Sequence, residues 1–305
     1  MTMKQSLLFL LLLPLSLLCA AQPSLTPQRP ASCYDDSVKV GLALSGGAAK
    51  GYAHLGLLQA LDEANVRIDV ISGTSMGAIV GLFYAAGYSP RQIVDIAKTE
   101  GMHKLGNIVK SNHKRDGGYA DYQRLRRIIY KYMPHNCFDS LHTSFYCCAT
   151  DLNNICAKHV GHGGYLAQYV TASASFPFVF APVRIEGVTY VDGGVMDNLP
   201  VEPLYEEGCS IRIGSYFMDD TVTTQLEKRN EIWLRTISVL VDANTYDRIP
   251  FFTHIVPINP HGYGQADFSH IDDLFQYGYE AGQKLLQEHP ELLDHKRDIK
   301  VCPVP

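Results

Sequence analysis

The 305-residue sequence has no excess of basic charge: 26 Lys and Arg stand against 31 Asp and Glu, a formal net charge of -5. That removes the basic footprint expected of a nucleic-acid binder, so no nucleic-acid partner is expected. An apolar run long enough to cross a bilayer is also missing at the N-terminus. The run from Leu7 to Leu18 covers twelve residues, where a spanning helix needs roughly 20. There are no internal repeats, no low-complexity tract and no interior linker. Hydrophobic residues at 46% and charged residues at 19% are an ordinary globular balance with enough apolar material for a sizeable core.

The N-terminus is a different material. Lys4 precedes the apolar run, the small residues Cys19, Ala20 and Ala21 follow it, and the next charge is Arg29. This order reads as a signal peptide over residues 1–21, with an uncleaved anchor as the alternative. Export to a periplasmic or extracellular location is expected. Residues 22–36, rich in Pro, Ser and Gln, read as a linker, and residues 37–305 as one folded domain. Cleavage leaves seven cysteines (Cys33, Cys137, Cys147, Cys148, Cys156, Cys209 and Cys302). An odd number leaves at least one thiol outside intrachain disulfides. A core of this size needs no staples, so mostly buried thiols are expected, with one or two bridges.

Two motifs sit between strand and helix signals. Val38 to Leu44 is a β-prone apolar run, followed by Ser45-Gly46-Gly47-Ala48-Ala49-Lys50-Gly51 and a helical pattern at Leu55, Leu57, Leu58 and Leu61. Ile68 to Ile71 is a second short strand, followed by Gly73-Thr74-Ser75-Met76-Gly77 and an apolar helix to Ala86. Strand, helix, strand, helix predicts an α/β fold with a mainly parallel sheet. Ser89-Pro90 starts a further helix. Residues 101–119 read as a surface loop and Asp121 to Tyr132 as a basic amphipathic helix with a solvated face. Strands are expected at 144–150, 155–160, 188–191, 211–217 and 252–258. Helices are expected at 166–175, 227–243 and 271–287.

A nucleophilic serine needs a sharp turn, and Gly at both flanks of Ser75 relieves the crowding there. The following helix N-terminus favours negative charge at the site. The glycine loop at Gly46-Gly47 fits no phosphate loop, because Tyr52 follows Gly51 where Lys and Ser or Thr are required. It fits no dinucleotide fingerprint either, because Ala48 takes the second glycine position. An oxyanion hole and a plain turn remain. Ser75 also needs a base. His54, His142, His254, His261 and His270 are scattered without a motif. An Asp can act if it bonds the hydroxyl directly and burial raises its pKa. Asp192, ahead of Gly193-Gly194, is one candidate, and Asp151 and Asp197 compete with it. Cys148, Cys156, His159 and His162 match no usual zinc spacing, so no metal and no cofactor is expected. The stretch Phe176 to Pro182 reads as core packing or as the wall of an acyl pocket.

Taken in order, the glycine loop, Gly73-Thr74-Ser75-Met76-Gly77 and Asp192-Gly193-Gly194 resemble the patatin-like phospholipase family. Ser173-Ala174-Ser175-Phe176-Pro177 and Asn198-Leu199-Pro200 are similar too. The resemblance covers residues 38–218 well and the C-terminal third loosely. It implies a three-layer α/β sandwich and a Ser-Asp dyad without His. Ser75 would be the nucleophile, Asp192 the base, and the N–H groups of Gly46, Gly47 and Ala48 the oxyanion hole. The family usually has Gly where this chain has Ala48, whose N–H can still donate provided φ stays negative. The implied activity is hydrolysis of a lipid or fatty-acyl ester through an acyl-enzyme, with contact at a membrane surface. Other readings are a Ser-His-Asp esterase on small soluble esters, an acyltransferase, and a catalytically idle lipid-binding protein.

Overall fold

Alternating side chains set the layers of this fold, seen in a computed structural model that describes residues 38–111, 117–218 and 227–296. Strand β1 (Lys39–Leu44) sends Val40, Leu42 and Leu44 into one buried cluster and Ala43 into another on the opposite face, as a strand buried on both sides must. The larger cluster packs the sheet against α1 (Ala53–Glu63), α2 (Met76–Ala85), α3 (Pro90–Thr99), α5 (Gln123–Tyr132), α6 (Leu166–Ser173) and α9 (Ile271–Glu288). The smaller cluster closes over Leu199, α7 (Glu202–Glu206) and Ile249. The result is a three-layer α/β sandwich.

The remaining elements are α4 (Leu105–Ile108), α8 (Arg229–Arg248) and strands β2 (Val70–Thr74), β3 (Lys110–Ser111), β4 (Gly118–Asp121), β5 (Ser144–Asp151), β6 (Cys156–Val160), β7 (Phe178–Phe180), β8 (Val183–Ile185), β9 (Val188–Asp192), β10 (Cys209–Phe217) and β11 (His254–Ile258). The main sheet runs β11-β10-β1-β2-β5-β9-β8, with β6 also paired to β5. From β11 to β5 all pairs are parallel, whereas β6, β8 and β9 pair antiparallel.

The expected helices and strands occur within a few residues of their sequence signals. Ser89 caps α3 as expected: its Oγ accepts from Gln92 N at 3.3 Å, and the Gln92 side chain accepts from Ser89 N at 2.9 Å. Residues 101–119 differ from the surface loop expected there. They contain α4, β3 and the start of β4, and β4 pairs with β7 through Gly118↔Phe178. The partner strand is distant in sequence, so no local periodicity announces it. The signal peptide, the linker, Cys33 and Cys302 lie outside the described residues. Cys147, Cys148, Cys156 and Cys209 carry free thiols, and Cys137 Sγ donates to Asp139 Oδ2 at 3.6 Å.

Candidate active site

The three motifs meet because they leave neighbouring strands. The glycine loop follows β1, Ser75 follows β2, and Asp192 ends β9. The register pairs Leu44 with Gly73, Thr74 with Cys148, and Ala149 with Asp192, so Ser75 and Asp192 converge across β5.

Ser75 sits at φ 55, ψ -120, a conformation that costs a non-glycine residue about 1–3 kcal/mol. Its neighbours show what holds it there. A Cβ at Gly73 would lie 2.6 Å from Gly77 O, and one at Gly77 would lie 2.2 Å from Leu44 O. Both contacts are to backbone, so only glycine lets the turn close against β1. The Ser75 N–H donates to Ser173 Oγ at 2.9 Å, and the Asp192 N–H donates to Ser175 O at 3.0 Å. Thr150 Oγ1 donates to Asp192 O at 2.8 Å. The Ser173-Ala174-Ser175 segment thus braces both residues of the pair, a role that its sequence does not announce.

Asp192 is buried, with 3% of its surface exposed. Burial pushes its carboxyl up to about 7. The Gly194 N–H donates to Oδ1 at 2.8 Å and, with the nearby Ser75 hydroxyl, pulls the other way, less strongly. The two competing carboxylates are bound elsewhere. Asp151 accepts from the N–H groups of Asn153 and Asn154 at 2.9 Å each. Asp197 accepts from His159 Nε2 at 2.7 Å and from Arg248 Nε at 3.3 Å. Of the three, Asp192 is the one near enough to Ser75 for the hydroxyl to act on its carboxyl.

Three of the five histidines considered have partners that fix them in the structure. His54 is fully buried, and burial lowers its imidazole to about 4, so it is neutral at pH 7. Its Nε2–H donates to Ser45 O at 2.9 Å, which leaves Nδ1 to accept from Ser215 Oγ at 3.1 Å. It ties the end of β1 to β10. His254 bonds Thr253 and Glu291, and His270 bonds Asp273.

The glycine loop departs from expectation at two positions. The Gly46 N–H donates to Asn198 Oδ1 at 3.1 Å, so it is turned toward that side chain. Ala48 has φ 49, where a negative value was expected. The chain must swing from extended backbone at Gly47 straight into the turn Ala48–Tyr52. A Cβ at Gly47 would meet the Phe217 ring at 2.4 Å, so glycine is required there. Ala48 carries a left-handed conformation that costs an L-residue roughly 1–2 kcal/mol. Ala48→Gly is therefore expected to raise the melting temperature by about 2–4 °C, as a gain near 1 kcal/mol does in a chain of this size. Calorimetry checks this, and an unchanged or lower midpoint would show that the backbone is not strained there.

Asn198 links the site across three segments, another role missing from the sequence expectations. Besides Gly46, it holds Thr245 Oγ1 through Nδ2 at 2.9 Å, and its backbone N–H reaches Asn244 Oδ1 at 2.9 Å. Asn244 Nδ2 in turn donates to Gly194 O at 2.7 Å. The phenylalanines of 176–182 divide. Phe180 is buried and stacks on Tyr122 at 4.4 Å, Phe176 is partly buried against the core, and Phe178 is exposed beside Trp233.

A family model described as patatin-like phospholipase matches residues 42–205. Lysophospholipase NTE1 of Kluyveromyces lactis is 28% identical over 282 residues, which is 83% of this chain and 19% of that protein. Lysophospholipase NTE1 of Saccharomyces cerevisiae is 25% identical over 278 residues, 81% of this chain and 16% of that protein. The chain thus spans about a fifth of the length of these curated relatives. Among solved structures, VipD from Legionella pneumophila aligns over 82% of this chain and 67% of its own, with a TM-score of 0.46 and 16% identity.

Proposed function

The chain belongs to the patatin-like phospholipase family, and from that premise we propose that it is a lipid acyl hydrolase working through a Ser75–Asp192 dyad. The observation that carries this reading is the convergence of Ser75, on a strained turn after β2, with the buried Asp192 carboxyl at the end of β9, which burial pushes up to about 7. Asp192 takes the Ser75 proton as Oγ attacks the ester carbonyl. The Gly47 N–H holds the oxyanion, while Gly46 is fixed by Asn198 and shapes the loop. The acyl group passes to Ser75, the alcohol takes the proton from Asp192 and leaves, and water attacks with Asp192 again as base. By the names of the relatives, the ester is that of a lysophospholipid.

The test is a fluorophosphonate probe followed by peptide mass spectrometry, alongside hydrolysis of a lysophospholipid. A mass increase on the Ser75 peptide, absent from a folded Ser75→Ala variant that hydrolyses nothing, is the expected result. Labelling at another serine, or hydrolysis that survives Ser75→Ala, rejects the assignment.

Contact with a lipid surface belongs to the same reading. Helix α8 turns Ile232, Trp233, Val239 and Leu240 to solvent, with half or so of each side chain exposed. Its Asn244 meanwhile reaches the Asp192-Gly193-Gly194 turn. This apolar edge beside the site suits a bilayer more than water. Trp233 is the chain's single tryptophan, so its emission is expected to shift to the blue when phosphatidylcholine vesicles are added. An unmoved spectrum with wild-type chain would reject contact through α8.

A further inference from the structure

A second cluster of reactive side chains lies beside the dyad and takes no part in the chemistry above. Cys148 on β5 and His159 on β6 are directly opposed across the antiparallel pair, so their side chains share a face. Asp197, from the turn after Asp192, reaches the same point. One ligand atom of each, Sγ, an imidazole nitrogen and a carboxylate oxygen, lies within 4.8 Å of the other two. Cys148 and Asp197 are fully buried, and the His159 side chain is 17% exposed, which leaves a way in from solvent.

The two acidic side chains here are held in a particular way. Arg248 donates through Nε to Asp197 Oδ1 at 3.3 Å and through a terminal nitrogen to Glu202 Oε1 at 2.8 Å. Each carboxylate therefore has one oxygen fixed and the other turned away from the guanidinium. Asp197 Oδ2 rests on His159 Nε2 at 2.7 Å. Glu202 Oε2 is buried and has no hydrogen-bond partner among the described residues, which costs roughly 1–3 kcal/mol if nothing fills the place. A cation placed among these groups would satisfy the Glu202 oxygen and balance both carboxylates at once.

We propose that Cys148 Sγ, His159 Nε2 and Asp197 Oδ2 form three corners of a structural zinc site, that Glu202 swings in to supply the unpartnered Oε2 as the fourth, and that Arg248 orients the two carboxylates from outside. The donor set of one sulfur, one nitrogen and two oxygens suits borderline-soft Zn²⁺, which binds them at about 2.0–2.3 Å in tetrahedral array. Around such an ion adjacent ligand atoms stand roughly 3.5 Å apart, so the His159–Asp197 contact must open by less than about 1 Å. Binding releases the Cys148 proton to solvent, and the thiolate, the two carboxylates and Arg248 leave the occupied site neutral. Four protein ligands leave no open position for substrate, which makes the site structural. It would brace the dyad, because the backbone carbonyl of Asp197 accepts from Thr74 Oγ1 at 2.9 Å, one residue before Ser75. The spacing of Cys148, Cys156, His159 and His162 hides this set, because two of its ligands come from beyond β9, while His162 bonds Asp139 instead. The inference does not depend on the proposed activity.

Cobalt replaces zinc and makes the thiolate visible. The full chain, stripped with a chelator, is titrated with Co²⁺, and the metal content of untreated protein is measured by mass spectrometry. Expected are about one metal per chain, a near-ultraviolet thiolate-to-cobalt band, and a melting temperature raised by zinc. The band should vanish in Cys148→Ser and weaken in His159→Gln and Glu202→Gln. It should persist in Cys147→Ser and Cys156→Ser, which assigns the sulfur even if Cys148→Ser does not fold. Failure to bind either metal overturns the site. So does a band that survives Cys148→Ser, or cobalt bound without any thiolate band, which would report the His254, His289 and Glu291 group instead.

Discussion

Asp192→Asn is expected to lose at least about a thousandfold in kcat/KM and at the same time to become more stable than wild type above pH 7. The first effect follows from removing the base, since a positioned proton acceptor contributes on the order of 10²–10⁴. Asn keeps the shape and can still accept from Gly194 N–H, so the turn should hold. The second effect follows from the raised pKa. The unfolded carboxyl ionises near its ordinary 3.8 and the folded one near 7. Between those values the unfolded chain releases its proton while the folded chain keeps it, so stability falls as pH rises through this window. The loss is complete above about 7 and amounts to roughly 4 kcal/mol, at 1.36 kcal/mol for each pH unit of the rise. Asn carries no charge to bury and escapes it. Thermal unfolding at pH 5 and at pH 8 reads the difference: the gap between variant and wild type should widen at pH 8 to about 10 °C, at 2–4 °C per kcal/mol. Wild-type kcat/KM should rise with pH through the same window, as Asp192 loses its proton. A constant gap between the two melting curves would mean that Asp192 is not a buried carboxyl with a raised pKa. Retained turnover in the variant would move the base elsewhere.

The turn around Ser75 is legible in the sequence because its geometry forces a local signature. A serine on a closed turn needs Gly73 and Gly77, and both contacts that demand them are to backbone, so no compensating side chain can substitute. The strands of the parallel sheet were legible for the same kind of reason, since burial on two faces leaves runs such as Val40 to Leu44. What stayed hidden is carried by pairs distant in sequence. Ser173 and Ser175 hold the backbone of Ser75 and Asp192, yet both are small residues at the end of a helix, where serine is ordinary. Asn198 fixes Gly46 from more than a hundred residues away. The β3-β4-β7 sheet is short and largely solvent-facing, with no apolar period to mark it. At Ala48 the sequence carries the side chain but not the direction of the backbone, and the turn imposes a positive φ where alanine favours a negative one.

Gly278→Val is expected to lower stability by about 3–5 kcal/mol, the largest effect expected of a substitution outside the site. Helices α1 and α9 touch backbone to backbone. A Cβ at Gly278 would fall 1.7 Å from Ala53 O, and one at Gly56 would fall 1.9 Å from Phe275 O. Neither carbonyl can turn aside without breaking its own helix, so a side chain at either place must push the helices apart. Separation would strip contacts from Leu55, Leu58, Leu274 and Phe275, all buried in the same cluster. It would also reach the chemistry. Ala53 begins α1 directly after the turn that carries Ala48, and Ala49 N–H donates to Gln265 O in the segment leading to α9. Moving α9 therefore pulls on the loop proposed to hold the oxyanion, where a shift of about 1 Å costs up to 10²-fold in rate. Urea denaturation separates the two effects. The midpoint should fall by more than about 1 M, given slopes of 1–3 kcal/mol/M, and the folded fraction that remains should be slower per molecule. Gly164→Ala is the control, because a Cβ there meets nothing within 4 Å. A Gly278→Val midpoint matching that control would mean the two helices do not meet through their backbones.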